Sequence, residues 1–214
     1  MTFTVLALDA ARTSIGVATA SRSLAVGATV PMIDPTVGAA ASQAWTNPGL
    51  RSTLLTAVAG GASPADAVGR LAEWDSEPEC RQVALLGFSG RAAAHTGRAT
   101  SDWCGHRVHD GLVVIGNLIH GPEVLDAMVD ALDRPAGPDA LAAGLMRALG
   151  AGEAAGGDVR GRQSAAILVT RQGRALPDYD LRVDDDADPV TKLAELVRLR
   201  LASPAQDPGS ALER

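Results

Sequence analysis

Extended segments follow one another directly in this chain and helical segments come in pairs. That order suits hairpin-linked antiparallel sheets covered by helices rather than the strand–helix–strand crossovers of a parallel sheet. Thr2 to Asp9 and Ile15 to Ser21, rich in β-branched and small apolar residues, flank a short Ala10 to Thr13 connection, the pattern of a hairpin. Ala25 to Val30 and Val37 to Ser42 read as further strands, separated by the turn and breaker residues Pro31, Asp34 and Pro35. Leu50, Leu54, Leu55 and Val58 then recur at helical spacing, and Ser63-Pro64-Ala65-Asp66 reads as an N-cap with Pro at the first helical position. Arg81 to Phe88 and Arg91 to Thr96 form a second hairpin around Ser89-Gly90, with Leu112 to Leu118 a buried strand after it. A second helical pair begins at Pro122 and at Pro138 and ends in the glycine-rich stretch Gly150 to Gly161. Ala165 to Thr170 and Tyr179 to Val183 return to strand, and Asp188-Pro189 caps a last amphipathic helix.

These segments make a single domain over 1–203, with 204–214 a flexible C-terminal tail. An apolar fraction of 46 % and a charged fraction of 21 % suffice for a sizeable core, yet only 3 % of residues are aromatic. The core is therefore packed from Ala, Val and Leu with close backbone approach. A net charge of −6 supplies no basic stripe for a phosphate backbone, which argues against nucleic acid as a partner. The opening MTFTVLALDAARTS lacks the basic region and cleavage site of a signal peptide, and no apolar run approaches the ~20 residues that span a bilayer. A cytoplasmic protein with no membrane partner is expected, and Cys80 and Cys104, which form neither a CxxC pair nor a disulfide framework, fit a reducing compartment.

Several polar residues stand where chemistry is done. Gln43 and Asn47 offer side-chain amides at a strand-to-helix junction, where they can donate to an oxyanion or a substrate carboxylate; Asn47 can equally cap the helix after Pro48. Asn117 ends an apolar strand, where an amide either lines a site or belongs to a turn. The run from Glu153 to Ser164 can fold backbone N–H groups around an anion, with Arg160 or Arg162 gripping a carboxylate, or can be a mobile connection. It lacks the GK[ST] of a nucleotide loop. Cys104, His106, His109 and Asp110 are zinc donors by type, but their spacing matches no standard site, so no metal is expected and His106 is read as a hydrogen-bonding residue. Asp184-Asp185-Asp186 lacks the glycine and spaced glutamate of a calcium loop.

Met1-Thr2 carries a distinct chemistry. Removal of Met1 leaves an N-terminal threonine whose hydroxyl has a base on the same residue, its α-amine, and α-amines titrate near ~7.7–8.0. Thr2 also opens the first strand of a hairpin whose second strand runs Gly16-Val17-Ala18-Thr19-Ala20-Ser21-Arg22, a layout that resembles the opening of proteasome β-type subunits.

A closer resemblance is to the bacterial family known as domain of unknown function 1028. It is carried by Met1 to Ala7, Leu24 to Pro31, Ser42 to Pro48, Gly105-His106, Gly116-Asn117, Gly156-Gly157-Asp158 and Gly161-Arg162-Gln163-Ser164-Ala165, in that order along nearly the whole chain. The resemblance implies an α+β fold, the four-layer αββα sandwich of antiparallel sheets of the N-terminal-nucleophile hydrolases, whose usual chemistry is amide-bond hydrolysis. It implies a hydrolase of an amide or ureido bond in a small, acidic metabolite, with Thr2 as nucleophile and no cofactor. Gln43, Asn47, His106, Asn117, Asp158, Arg162 and Ser164 are then the expected oxyanion or substrate contacts, Arg22 supplies positive charge, and a homo-oligomer is expected. One departure stands out: proteasome subunits hold the threonine hydroxyl with a lysine, and no lysine precedes Lys192 here. Arg22 cannot replace it as a base, because guanidinium stays protonated. The α-amine is left as the base, and the alternative is a non-catalytic ligand-binding or assembly protein on the same fold.

Overall fold

A computed structural model describes residues 2–101 and 103–203. Met1 and the tail expected at 204–214 lie outside the described residues. The first hairpin is formed by β1 (Thr2–Leu8) and β2 (Ser14–Ser21), paired antiparallel with Phe3 opposite Ala20 and Leu8 opposite Ile15. It is the centre of a six-stranded sheet completed by β7 (Cys104–His109), β8 (Leu112–Asn117), β9 (Ser164–Arg171) and β10 (Tyr179–Val183), in the order β10-β9-β2-β1-β8-β7. A second, four-stranded sheet runs β3-β4-β5-β6, from β3 (Pro31–Asp34), β4 (Gly38–Ala44), β5 (Arg81–Gly87) and β6 (Ala92–Thr96). Every pairing within the two sheets is antiparallel.

Strand alternation sorts the apolar residues into separate cores. On β1, Phe3, Val5 and Ala7 face α5 (Pro122–Asp130), α6 (Pro138–Ala154) and α7 (Pro189–Ala202), while Leu6 and Leu8 face the other sheet, against Ala39, Ala41, Ala84 and Leu86. The outer face of the four-stranded sheet, with Ala40, Val83 and Leu85, is covered by α2 (Gly49–Ala59), α3 (Pro64–Gly69) and α4 (Leu71–Trp74). Ser63 and Asp66 form the expected capping box of α3, with Pro64 at its first position. The scarcity of aromatics is met by alanines on the facing sheets and by glycines where helices touch: a Cβ on Gly152 would lie 2.6 Å from Met128 Cγ, and one on Gly144 would lie 2.0 Å from the Asp133 carbonyl oxygen. Among the described residues no helix is long and apolar enough to cross a membrane.

Four expectations are corrected. Ala25 to Val30 is not a strand but contains the short helix α1 (Val26–Thr29), entered through Ala25 at φ 52°. Its turn rests on β9, where Val26 N–H donates to Ser164 Oγ and Gly27 abuts Ala166 with no room for a Cβ, so tertiary contacts override the β-branched composition. Pro31, read as a breaker, opens β3; that strand is a sheet edge, where a missing N–H costs nothing. The segment read only as metal-type donors, Cys104 to His109, is the edge strand β7. Helix α6 runs through Gly150 and Gly152 to Ala154 and so ends within the expected glycine-rich stretch; Gly152 packs against Met128 and Phe3, whereas Gly150 faces open space. Asp188 also precedes α7 without a side-chain cap; its backbone carbonyl accepts from Lys192 N–H.

Candidate functional site

The start of β1 lies where several strands end. Thr2 pairs across to Asn117, the last residue of β8, which also pairs with Cys104 on β7. On the other side β2 ends at Ser21, and Thr2 Oγ1 donates to Ser21 Oγ at 3.2 Å. From the facing sheet, Gln43 near the end of β4 donates its Nε2 to the Thr2 carbonyl at 3.0 Å. Thr2 itself is 5 % exposed.

Behind Thr2 the two sheets are joined by buried amides. Gln43 Oε1 accepts from Thr4 Oγ1 at 2.7 Å, and Gln43 Nε2 also donates to Gln82 Oε1 at 2.8 Å. Gln82 Oε1 accepts again from Asn117 Nδ2 at 3.0 Å, so one oxygen fixes the orientation of both amides that flank Thr2. Gln82 Nε2 in turn faces the carbonyls of Gly105 and Gly116 and the hydroxyl of Thr96. Thr96 Oγ1 meets His106 Nδ1 at 2.9 Å. His106 keeps an exposed edge, but lost hydration on its packed side, then the charges of His95 and Arg107, lower its pKa from the usual histidine value. A buried polar network of this kind is stable only when its members are satisfied, and here they are.

Two strained residues follow the flanking amides directly. Ala44 after Gln43 has φ 74°, and Leu118 after Asn117 has φ 51°. Each costs on the order of 1 kcal/mol or more for a residue with a Cβ. Such strain persists where surrounding structure holds it, and here it turns the chain away at both strand ends beside Thr2.

The remaining expected contacts divide. Ser164 opens β9 opposite Ser21, but its hydroxyl donates to Ser23 O and accepts from Val26 N–H. Asp158 accepts from Arg22 N–H at 2.7 Å and from Arg160 N–H at 2.8 Å, and pairs with the Arg160 guanidinium. Arg22 Nη1 donates to Gln163 Oε1. Arg162 is engaged by Glu153 at 3.2 Å and Asp188 at 3.3 Å. Burial raises the Glu153 pKa, partly offset by Arg162. Phe3, Ala20, Ser21, Asp158, Arg162 and Ser164 line a cleft on the helix side of the sheet, adjacent to Thr2 rather than around its hydroxyl. Thr2, Gln43 and Asn117 are thus brought together, His106 joins them through Thr96 and Gln82, and Asp158, Arg162, Ser164 and Arg22 form a neighbouring group. Among the described residues no group of three or more His, Cys, Asp or Glu is placed to hold a metal. Ser21 and Gln82 were missed from the sequence; the register of the first hairpin would have put Ser21 beside Thr2, whereas a glutamine inside an apolar strand gave no sign of its partners.

Asn47 lies apart from Thr2. Its Oδ1 accepts from Gly49 N–H, as a cap for α2, and its Nδ2 donates to Asp75 at 2.7 Å. Asp75 also receives Arg81 Nε at 2.9 Å, with side-chain exposures of 13 % and 3 % for Arg81 and Asp75. The Arg81 hydrogen bonds, then those of Asn47 and Glu77 N–H, outweigh burial and hold the Asp75 pKa down to about 2 from 3.8. A folded-state pKa below the unfolded one stabilises the fold above the unfolded value and is lost as pH falls through the folded value. Stability is therefore expected to drop by about 2 kcal/mol between pH 4 and pH 2 from this group alone. Urea melts across that range check it: Asp75→Asn should be less stable at pH 6 and show a shallower acid slope, and an unchanged slope would sink the assignment.

The model of the family described as "Family of unknown function (DUF1028)" matches residues 2–193. The crystal structure of protein SPO2555 from Silicibacter pomeroyi, which carries the same family assignment, superposes with a TM-score of 0.85 at 32 % identity, covering 95 % of this chain and 90 % of that one. Anbu (ancestral beta-subunit) from Yersinia bercovieri gives a TM-score of 0.47 at 10 % identity over 96 % of this chain and 99 % of its own. The Anbu (Gly-1) mutant from Hyphomicrobium sp. strain MC1 gives 0.47 at 8 % identity, with coverages of 96 % and 99 %. No curated protein matches.

Proposed function

This chain belongs to the family of unknown function DUF1028, and from that premise we propose that it is an N-terminal-nucleophile hydrolase of a small amide or ureido compound, built as a four-layer αββα sandwich. The observation that carries this reading is Thr2 at the head of a central strand, its hydroxyl 3.2 Å from Ser21 Oγ and its carbonyl held by Gln43. With Met1 removed, Thr2 Oγ1 attacks the substrate carbonyl carbon while the α-amine takes the hydroxyl proton, directly or through a water. The tetrahedral oxyanion is met by the Asn117 amide or a backbone N–H near Gln43. Collapse breaks the C–N bond, the amine's proton passes to the leaving nitrogen, and an acyl ester remains on Thr2. Water activated by the same amine then releases the acid and restores the hydroxyl.

The acidic character of the substrate is not part of this proposal, since Arg162 and Arg160 are neutralised by Glu153, Asp188 and Asp158. Lys192 sits exposed on α7 and bonds Glu195, which leaves the α-amine as the base and favours, as a second reading, a non-catalytic module on the same fold. Intact-mass spectrometry of the protein from its own host separates the two at the first step. The hydrolase reading expects a mass lacking Met1; a fully retained Met1 would defeat it and leave the binding module.

A further inference from the structure

Trp45 is 67 % exposed, yet it is mounted on one of the most constrained stretches of backbone in the molecule. It follows Ala44, which ends β4 at φ 74° next to Gln43. Its N–H donates to Cys80 O at 3.3 Å, and its carbonyl accepts from Arg81 Nη1 at 2.5 Å. Arg81 is locked in turn by buried Asp75, which Asn47 braces from the other side. A strained residue, a buried ion pair and an amide bridge all converge on holding this segment still. An exposed loop needs none of them to turn a corner. A large flat side chain on a fixed mount loses little freedom when something settles on it, which is the property of a recognition anchor.

Position narrows what settles there. Two residues of chain span at most about 7 Å, so the Trp45 Cα lies within that distance of Gln43, which touches Thr2. Leu24, 66 % exposed, and Val159, 49 % exposed, leave the neighbouring strand ends, after Ser21 and beside Leu118. Three exposed apolar side chains are thus carried within a few residues of the strand ends that meet at Thr2, while Arg160 and Arg162 are committed to carboxylates and Arg22 to Gln163.

We propose that Trp45 is a specificity-determining residue that stacks on a planar aromatic group next to the amide bond presented to Thr2, so that the preferred ligands are aromatic amides. This rests on Thr2 marking the site, but its test needs no turnover. N-benzoylglycinamide and N-acetylglycinamide, which differ by the ring, are titrated against the full chain by isothermal calorimetry and by quenching of tryptophan fluorescence. The benzoyl compound is expected to bind roughly three- to tenfold tighter, in line with an aromatic pair. Trp45→Phe should keep that preference and Trp45→Ala should abolish it while leaving the thermal unfolding midpoint within a few degrees. Equal affinity for the two compounds, no binding of either, or a preference intact in Trp45→Ala overturns the proposal. So does a self-association in sedimentation velocity that Trp45→Ala removes, since the indole would then face a second copy. If the preference holds while Thr2→Ala leaves hydrolysis unchanged, the hydrolase reading fails and the aromatic site stands.

Discussion

Thr2→Ala is expected to lower turnover of any responsive amide by at least about 10³-fold, because it removes the proposed attacking oxygen while leaving the α-amine in place. Structural damage does not account for such a loss. Thr2 Oγ1 donates to Ser21 Oγ at 3.2 Å, and deleting a bond of that kind costs on the order of 1 kcal/mol. Thr2→Ser keeps the oxygen and should retain most of the activity. With the α-amine as the proposed base, the rate in the wild type should rise with pH as that amine deprotonates and then level off. Turnover by Thr2→Ala within a factor of a few of wild type, with mass spectrometry confirming removal of Met1 in both, would end the nucleophile reading.

Gln82→Leu is expected to cost roughly 3–5 kcal/mol of stability, from stranding several buried partners at about 1–3 kcal/mol each. The side chain is fully buried, and the loss falls on Gln43 Nε2 and Asn117 Nδ2 as donors and on the Gly105 and Gly116 carbonyls as acceptors. Leucine fills the space and satisfies none of them. Gln82→Glu is the sharper variant. It keeps the acceptor for both amides, but an ionised carboxylate cannot donate to the glycine carbonyls, so the fold favours the protonated acid. The folded-state pKa then lies above the unfolded one, and the penalty shrinks as pH falls. Chemical denaturation at two pH values reads both variants; a loss under 1 kcal/mol in Gln82→Leu would mean that water replaces the network.

Much of both sheets was readable because hairpins declare themselves locally: β1, β2, β5, β6 and β10 fall within a residue or two of the segments flanked by turn residues. Two of the edge strands, β3 and β7, were not. Pro31 to Asp34 and Cys104 to His109 lie at sheet margins, carry little apolar patterning and take their form from one neighbour strand each. The same contrast holds for the candidate site. Thr2 was legible from chain chemistry, and Gln43 and Asn117 from amides placed at strand ends. Their shared dependence on Gln82 was not, because it arises only when residues 35 or more positions apart meet between two sheets. Asn47 illustrates the converse: an amide in a promising motif whose partner, Asp75, decides its role.

The alanines that let the two sheets approach also change which mutations are informative. Ala39, Ala41 and Ala84 are fully buried and present nothing for truncation to remove. An alanine scan would pass over these positions in silence. Enlargement is the perturbation they register, since one added methylene has to push a whole sheet outward rather than deepen a pocket. Sequence drift in this chain is therefore constrained from above, by volume, along β5 and the strand β4 that carries Gln43, and a scan to valine or leucine will trace the inner walls of the molecule.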